Sequence, residues 1–454
     1  MTLRIANAAG FWGDSLDAPR RLVEGTRVDY LTLEYLAELT LSILARQREK
    51  DPQRGYATDF IDGLASLLPE LTAQPELRIV TNAGGMNPRA CARAVAGLLS
   101  DTPLADERIA VVDGDDLLSR LADLRAAGCT LENIDTGEPL ATVADRVVSA
   151  NAYLGARPIF EALQAGARLV ITGRVADASL VVGPAVHYYG WDWQDWDRLA
   201  GATVAGHVIE CGAQATGGFY SHWDELDLAH VGYPIAEVDE DGVATITKAD
   251  GTGGVVNRET VTEQLVYEIG DPSAYVTPDV VADFTTVELA ELAADRVALR
   301  GATGRAAPDN YKVSLAYRDG FTATGQLLVY GSDPVGKAHA CADLVTARVR
   351  AAGFELEKVH VECLGAGDGV PGLHAPPRDL REVVLRLSVR DSRREAVERF
   401  TREIAPLVTS GPAGLAGYAA PRGNVREVFS YWPTLIRQDL VQPRVEVRRA
   451  PDWL

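Results

Sequence analysis

Short apolar runs and longer segments of helical periodicity alternate through the first half of the chain. The short runs are rich in β-branched residues and occupy residues 3–8, 28–33, 77–81, 109–112 and 169–172. Between them, apolar residues recur at three- and four-residue spacings within residues 36–47, 60–71, 88–99 and 116–127. Strands that alternate with helices predict a mostly parallel sheet covered by helices on both faces, which is a doubly wound α/β domain.

The second half of the chain has the pattern of an α+β unit. Residues 234–238 and 244–247 flank Asp241-Gly242, and residues 313–317 and 326–330 flank Asp319-Gly320, so each pair of runs predicts a β-hairpin. Helices are predicted at residues 335–351 and 394–407, and strands at residues 358–363 and 383–389. We therefore expect an α/β domain over residues 1–235 and a smaller α+β domain with antiparallel hairpins over residues 236–454.

Composition restricts the class of partner and the compartment. The 64 acidic and 44 basic residues give a net charge of −20, which argues against nucleic acid or an anionic membrane surface as the main partner. No apolar run reaches the roughly 18 residues of a membrane span, and the first residues lack the pattern of an export signal. The five cysteines form no C-x-x-C pair, so we expect a cytoplasmic protein with neither a disulfide framework nor a zinc ribbon.

Polar and glycine residues follow four of the predicted strands. Ligands of parallel α/β sheets bind beyond the carboxyl ends of the strands, so these residues are the first candidates for a site. They are Gly10 and Gly13 after the first strand, Glu34 after the second, Asn82, Gly84, Gly85 and Asn87 after the third, and Arg174 and Asp177 after the fifth. The sequence thus predicts one pocket for a small anionic ligand at this edge of the sheet.

The segment from Asn82 to Pro88 has two interpretations. Paired glycines permit a sharp turn, Asn87 can cap a helix, and Pro88 suits the first helical position. The backbone N–H groups of such a turn can bind a carboxylate or phosphate at the helix N-terminus. The same pattern also describes an ordinary connection between a strand and a helix, and the sequence leaves both interpretations open.

Arg174 ends an otherwise apolar strand, where a guanidinium has to pair with a carboxylate of the protein or of a ligand. Asp177, three residues later, can form a structural ion pair with Arg174 at the start of a helix. A clamp for an anionic ligand is the functional alternative, and the two roles are compatible.

Residues 197–217 favour a helix, on which His207 and Glu210 lie one turn apart. A carboxylate can orient an imidazole and raise its basicity for proton transfer. A solvated helix face or a hydrogen-bonded core histidine explains the pair equally well. Metal binding through His207 and Cys211 lacks a completed zinc spacing, so no metal ligand is assigned.

Two other motifs are weak. Residues 331–338 match G-x-x-x-x-G-K, but Ala338 stands where Ser or Thr would hold magnesium. Residues 221–224 contain the residue types of a nucleophilic triad without the G-x-S-x-G turn that exposes the nucleophile. Neither motif supports an ATPase or a hydrolase.

Several loops together resemble the acyclic terpene utilisation AtuA family. They are residues 8–14 (AAGFWGD), 29–38 (DYLTLEYLAE), 81–88 (TNAGGMNP), 171–179 (ITGRVADAS), 206–214 (GHVIECGAQ) and 251–254 (GTGG). The resemblance extends over most of the chain and implies a place in the breakdown of branched terpenoid acids as coenzyme A thioesters. Longer members carry a ferredoxin-like domain at the carboxyl end, so the resemblance also suggests a separate small partner protein.

These observations favour an enzyme that acts on a small carboxylate or acyl-CoA by general acid–base chemistry, of lyase or hydratase type. Glu34, His207 and Glu210 are the candidates for proton transfer. A non-catalytic subunit that binds the same ligand or scaffolds an acyl-CoA catabolic complex is the alternative. A nicotinamide enzyme is disfavoured because no G-x-G-x-x-G follows the first strand. The cofactor stays unknown, and the pattern allows a homo-oligomer.

Overall fold

The computed structural model describes residues 2–373, 379–418 and 423–454. The chain divides into two compact units. The larger unit comprises Met1–Ala316 and Tyr431–Leu454, and the smaller unit comprises Tyr317–Ser430. The division expected after residue 235 falls inside a strand of the larger unit, because the hairpin that begins there extends the sheet of the first half.

The strands and helices are numbered in chain order. The strands are β1 Leu3–Asn7, β2 Tyr30–Leu33, β3 Arg78–Thr81, β4 Arg108–Asp113, β5 Val147–Ala152, β6 Leu169–Thr172, β7 Pro234–Val238, β8 Ala244–Lys248, β9 Tyr275–Val276, β10 Val281–Asp283, β11 Glu288–Ala293, β12 Arg296–Arg300, β13 Thr303–Arg305, β14 Asn310–Tyr330, β15 Lys358–Leu364, β16 Glu382–Asp391, β17 Leu415–Tyr418, β18 Arg426–Arg437 and β19 Arg444–Arg449. The helices are α1 Ala18–Gly25, α2 Glu38–Lys50, α3 Asp59–Ala73, α4 Pro88–Leu99, α5 Leu121–Ala126, α6 Arg157–Gln164, α7 Ser179–Tyr189, α8 Trp196–Glu210, α9 Arg258–Leu265, α10 Pro334–Ala351, α11 Arg394–Glu403 and α12 Leu407–Ser410.

The larger unit is built on a mixed sheet. Among the described residues it has ten strands in the order β11-β12-β8-β7-β1-β2-β3-β6-β4-β19. The central strands β1, β2, β3, β6 and β4 are parallel, and the strands added at both edges are antiparallel. The sheet is therefore mixed and not mostly parallel, because β7 and β8 form a hairpin, whose strands have to run in opposite directions.

Helices cover both faces of the parallel strands. Every residue of β2 and of β6 is buried, as the apolar runs require when neither face meets water. Helices α1, α3 and α4 pack side by side, with Phe60 and Leu67 of α3 fully buried, and α6, α7 and α8 form a second set of neighbours. No helix within the described ranges combines the length and apolar character that a membrane crossing requires.

One of the two expected hairpins is confirmed and the other is wrong. β7 and β8 pair through the turn at Asp241-Gly242, where Gly242 has φ +82°. Around Asp319-Gly320 the chain forms one continuous strand, β14, whose residues 321–330 pair with β16. Gly320 has φ +86°, and a Cβ there would lie 2.7 Å from the carbonyl oxygen of Asp391. The glycine therefore permits close approach within a sheet and does not form a turn.

The smaller unit is an antiparallel sheet with helices packed against it. Its described strands follow the order β15-β16-β14-β17. Helices α10 and α11 contact β16 and each other, and their core includes Val345, Leu385 and Phe400.

The turn between β3 and α4 packs tightly against the end of β6. Asn87 caps α4 by accepting a hydrogen bond from the Ala90 amide at 3.3 Å. A Cβ at Gly84 would lie 2.5 Å from the carbonyl oxygen of Thr172 and 2.6 Å from Cβ of Pro88. Only glycine therefore lets this turn approach β6 without a shift of the backbone.

We expect Gly84→Ala to lower the free energy of unfolding by about 1–3 kcal/mol, because the added methyl group overpacks this contact. Gly97→Ala is the matched control, since a Cβ at this exposed position of α4 meets nothing within 4 Å. The control should raise stability by about 0.5–1 kcal/mol through helix propensity. Urea unfolding of the two variants checks both values, and equal effects would contradict the proposed close contact.

Candidate functional site

A buried guanidinium joins the segments that follow three strands. Arg174, after β6, is 2% exposed. Its Nη1 donates to the carbonyl oxygen of Leu36 at 2.5 Å, and its Nη2 donates to Oδ1 of Asp177 at 2.6 Å. The guanidinium also lies 4.1 Å from the ring centroid of Tyr153, which follows β5. The segments after β2, β5 and β6 therefore meet around one positive charge.

Glu34 and Asn82 lie together at the ends of β2 and β3. Oε1 of Glu34 accepts from the Leu36 amide at 2.8 Å and from Nδ2 of Asn82 at 2.5 Å. Oδ1 of Asn82 in turn accepts from the Tyr35 amide at 2.8 Å. Both polar atoms of the Asn82 side chain therefore form hydrogen bonds within the protein, and the side chain holds Glu34 in place.

Glu34 and Asp177 form a carboxyl pair. Burial raises the pKa of Glu34 well above its usual value, and Asp177 adds to this rise, against the effects of Arg174 and Asn82. Burial also raises the pKa of Asp177, although Arg174 and a hydrogen bond with Glu34 oppose it. Oε2 of Glu34 is buried without any donor from the described residues. Burial and the mutual repulsion of the two carboxyl groups therefore both favour protonation over ionisation within the pair.

Asp177 reaches a cavity of about 360 Å³. A third of its side-chain surface is exposed. The described residues that line the cavity are Glu38, Tyr153, Ala176, Asp177, Ala178, Tyr275, Val276, Thr277, Pro278, Pro308, Asn310, Lys312 and Leu435. A volume of this size lies in the lower part of the range of small-molecule pockets. Asp177 is therefore the member of the carboxyl pair that a ligand can touch.

Glu38, Tyr153 and Lys312 form a charged group on the cavity wall. Tyr153 donates from its hydroxyl to Oε1 of Glu38 at 2.7 Å, and Nζ of Lys312 lies 3.4 Å from the same oxygen. Burial works against ionisation of Glu38, but the Tyr153 hydrogen bond and Lys312 lower its pKa to about 2. Burial likewise opposes the charge on Lys312, yet Tyr431 and Glu38 raise its pKa. Both groups are therefore charged at neutral pH.

His207 and Glu210 form the contact expected from their spacing, inside the protein. His207 is 2% exposed; its Nδ1 lies 3.1 Å from Oε1 of Glu210, and its Nε2 lies 3.1 Å from the carbonyl oxygen of Gln264. Burial lowers the pKa of His207, but Glu210 outweighs it and the net direction is upward. Both ring nitrogens have partners, which favours the interpretation as a hydrogen-bonded core histidine.

Glu210 nevertheless lies within electrostatic reach of the carboxyl pair. Burial raises its pKa, Asp177 adds to the rise and Arg174 opposes it. A Cβ at Gly206 would lie 2.8 Å from Cα of Ala178, so α8 packs closely against the segment that carries Asp177. Neither His207 nor Glu210 is among the described residues that line the cavity.

The glycine-rich turns are used for packing. The amides of Gly85, Met86 and Asn87 donate to carbonyl oxygens of Asn82, Gly55 and Gly84 at 3.1, 2.8 and 2.8 Å. These N–H groups already have acceptors within the protein, which favours the interpretation of this turn as a connection between strand and helix.

The first loop has a similar role. The Gly10 amide donates to Oδ2 of Asp14 at 2.9 Å, and a Cβ at Gly10 would lie 2.6 Å from the backbone carbon of Cys211. Gly13 has φ +113°, which a turn requires. Gly10, Gly13, Gly84, Gly85 and Asn87 are all absent from the described lining of the cavity.

Sequence reasoning missed Tyr153, Lys312 and Glu38. Glu38 begins α2, four residues after Glu34 and close to the segment that the strand-end rule already marks. Tyr153 follows β5 and Lys312 lies in β14, and neither has a motif that could have identified it. Within the described ranges, no group of three or more His, Cys, Asp or Glu side chains is placed to hold a metal ion.

Asp115 is a second buried carboxyl group next to Arg174. One of its oxygens accepts from the Arg174 amide at 2.9 Å and from Nδ2 of Asn151 at 2.7 Å. Burial raises the pKa of Asp115 to about 7, and these two hydrogen bonds only partly oppose the shift. Asp115 therefore fixes the backbone that positions Arg174.

Asp115 should make stability depend on pH. In the unfolded chain its pKa is about 3.9, so the folded chain binds the proton more tightly. The contribution of Asp115 is therefore most favourable below about pH 4, decreases as pH rises and is lost above about pH 7, with a total of the order of 4 kcal/mol. Asp115→Asn should flatten the fall in the free energy of unfolding between about pH 5 and about pH 8.

Urea unfolding at several pH values measures this slope. Asp101→Asn is the control, because Asp101 is exposed and its substitution should leave the slope of the natural chain unchanged. A slope in Asp115→Asn as steep as in the control would contradict the assignment.

Comparison with known proteins agrees with the resemblance seen in the loops. The family model for the acyclic terpene utilisation family protein AtuA matches residues 3–447. No curated protein and no solved structure shows a significant match. Since the family model covers nearly the whole chain, including β1, β6 and the buried Arg174, the chain belongs to the acyclic terpene utilisation AtuA family.

Proposed function

We propose that this protein is an enzyme that acts on a small carboxylate or its acyl-CoA thioester by general acid–base chemistry, of lyase or hydratase type. The observation that carries the proposal is the carboxyl pair: Asp177 lines the cavity, and burial raises the pKa of both Asp177 and the neighbouring, buried Glu34. Perturbed carboxyl groups beside a small cavity are typical of proton-transfer sites.

A carboxyl pair with one proton contains both an acid and a base. In a dehydration, Asp177 as the base removes the proton next to the substrate carbonyl and then, as the acid, donates this proton to the leaving hydroxyl group, which departs as water. The pair then holds one proton again, so no net proton is required. Addition of water follows the same steps in reverse. Asp177 is the reacting group in this proposal, and Glu34 holds the second proton position.

Covalent catalysis has less support from the lining residues. Lys312 is held in its charged form beside Glu38, and a protonated amine is not a nucleophile. Burial raises the pKa of the Cys211 thiol to about 12, so it is not a thiolate at neutral pH. Acid–base chemistry therefore fits the described residues better.

Arg174 has a positioning role in this proposal. Its two terminal nitrogens are bonded to Leu36 and Asp177, and its Nε is buried. The guanidinium fixes Asp177 at the cavity wall and balances its charge. The proposal therefore does not assign the binding of the ligand's anionic group to Arg174, Asn82, Gly84 or Gly85. A different cation takes that role.

Asp177→Asn should lower turnover by about 10²–10⁴-fold, because general acid–base catalysis contributes that much. The assay incubates the purified protein with hydroxyacyl-CoA and enoyl-CoA thioesters and their free acids, and follows hydration or dehydration by mass spectrometry. Asp101→Asn, at an exposed position, should keep full turnover.

Two results would contradict the enzyme proposal. One is unchanged turnover in a folded Asp177→Asn variant. The other is a purified chain that converts no member of the panel but copurifies with a small partner protein and restores that partner's activity. The second result would support the alternative, a non-catalytic ligand-binding or scaffolding subunit of an acyl-CoA catabolic complex.

The His207→Asn variant distinguishes direct proton transfer by the carboxyl pair from direct proton transfer by the histidine. We expect a loss in turnover of less than about tenfold, because a group that acts through Glu210 contributes less than a direct proton donor. Thermal unfolding of the variant controls for its stability. A loss of turnover as large as that in Asp177→Asn would instead assign direct proton transfer to His207.

A further inference from the structure

We propose that the cavity binds a short-chain carboxylate as the free anion, with its carboxylate on Lys312 and its hydrocarbon part against the apolar wall. The inference rests on the proposed function only in taking this cavity as the substrate site. It decides between the two substrate classes, the free acid and the coenzyme A thioester.

Lys312 supplies the positive charge. It is the one lysine or arginine among the described residues that line the cavity, and 42% of its side-chain surface is exposed. An ammonium group has three donors; Glu38 occupies one of them at 3.4 Å, and a hydrogen bond with Tyr431 occupies a second. One donor can therefore reach a ligand oxygen.

The negative charge of Glu38 does not depend on Lys312 for its stabilisation. Its Oε1 already accepts the Tyr153 hydroxyl at 2.7 Å. Glu38 is also the first residue of α2, where the positive end of the helix dipole favours a carboxylate. Lys312 can therefore turn towards an anion without leaving an uncompensated charge at Glu38.

The aromatic rings beside Lys312 restrict its position. Nζ lies 4.9 Å from the ring centroid of Tyr153 and 5.8 Å from that of Tyr431. Such contacts favour an ammonium over the face of a ring. They hold the charge at one end of the cavity, so a carboxylate bound there has a defined orientation.

The remaining wall suits a hydrocarbon chain. Its apolar members are Ala176, Ala178, Val276, Pro278, Pro308 and Leu435. Asp177 lines the same cavity, so the bound chain lies within the space that the proton-transfer group faces. A ligand with one charged end and a short apolar body matches this lining.

The volume limits which part of a thioester fits inside the cavity. About 360 Å³ lies in the lower part of the range of small-molecule pockets, so the cavity holds a short acyl chain and not the whole of an acyl-CoA. An acyl-CoA could place only its acyl group inside, and its thioester would lack the negative charge that Lys312 recognises.

Calorimetric titration with hexanoate, hexanamide and hexanoyl-CoA tests the inference. We expect hexanoate to bind at one site and about tenfold or more tightly than hexanamide, because a hydrogen bond to a charged group adds that difference. Lys312→Met should abolish this preference and Lys312→Arg should keep it. Asp101→Asn, at an exposed position that is not among the described lining residues, should bind hexanoate as the natural chain does.

Three results would overturn the inference. They are equal binding of hexanoate and hexanamide by the natural chain, tighter binding of hexanoyl-CoA than of hexanoate, and no saturable binding of hexanoate by folded protein. The comparison of acid with amide needs no substitution, so a misfolded variant cannot obscure it. If hexanoate binds as expected while the turnover assay fails, the enzyme proposal falls and the binding site stands.

Discussion

The burial of one guanidinium is the constraint on which the site depends. A charge taken out of water is tolerated only where its partners are fixed, and removing a partner of a buried ion pair costs about 3–5 kcal/mol. Arg174 meets this demand with a backbone carbonyl, a carboxylate and an aromatic face from the segments after three strands. The same requirement holds Asp177 at the cavity wall, so the stability of the strand ends and the geometry of the candidate site have one origin.

Sequence periodicity predicted the elements whose contacts are local. Helix α4 has the expected bounds, and β6 was placed correctly, because capping residues and apolar runs act over a few positions. The edge strands β11 and β19 were missed because they are polar and partly exposed, so they lack an apolar run. The error at Gly320 has a similar cause, since a glycine that allows close approach looks like a turn residue.

The candidate site was partly predictable for the same reason. The strand-end rule identified Glu34, Asn82, Arg174 and Asp177, which contact one another directly or through shared partners. It could not assign their roles, because burial decides which atoms a ligand reaches. Lys312 lies in β14, and no local sequence signal connects it with Glu38 at the start of α2. The His207–Glu210 spacing predicted a contact correctly, but only the packing of Tyr275 and Phe284 around the ring reveals that the histidine is enclosed.

The edge strand β19 has a consequence for synthesis on the ribosome. It pairs with β4 from Arg444 to Arg449, and Arg444 contacts Asp113 across this edge. The smaller unit is inserted before β19, and its two ends lie side by side, with the Ser430 hydroxyl donating to Asp319. An inserted unit with adjacent ends can acquire its structure while the surrounding sheet is still incomplete. The nascent chain therefore carries an unpaired β4 edge until β19 emerges, and an unpaired strand edge is a template for pairing with another chain.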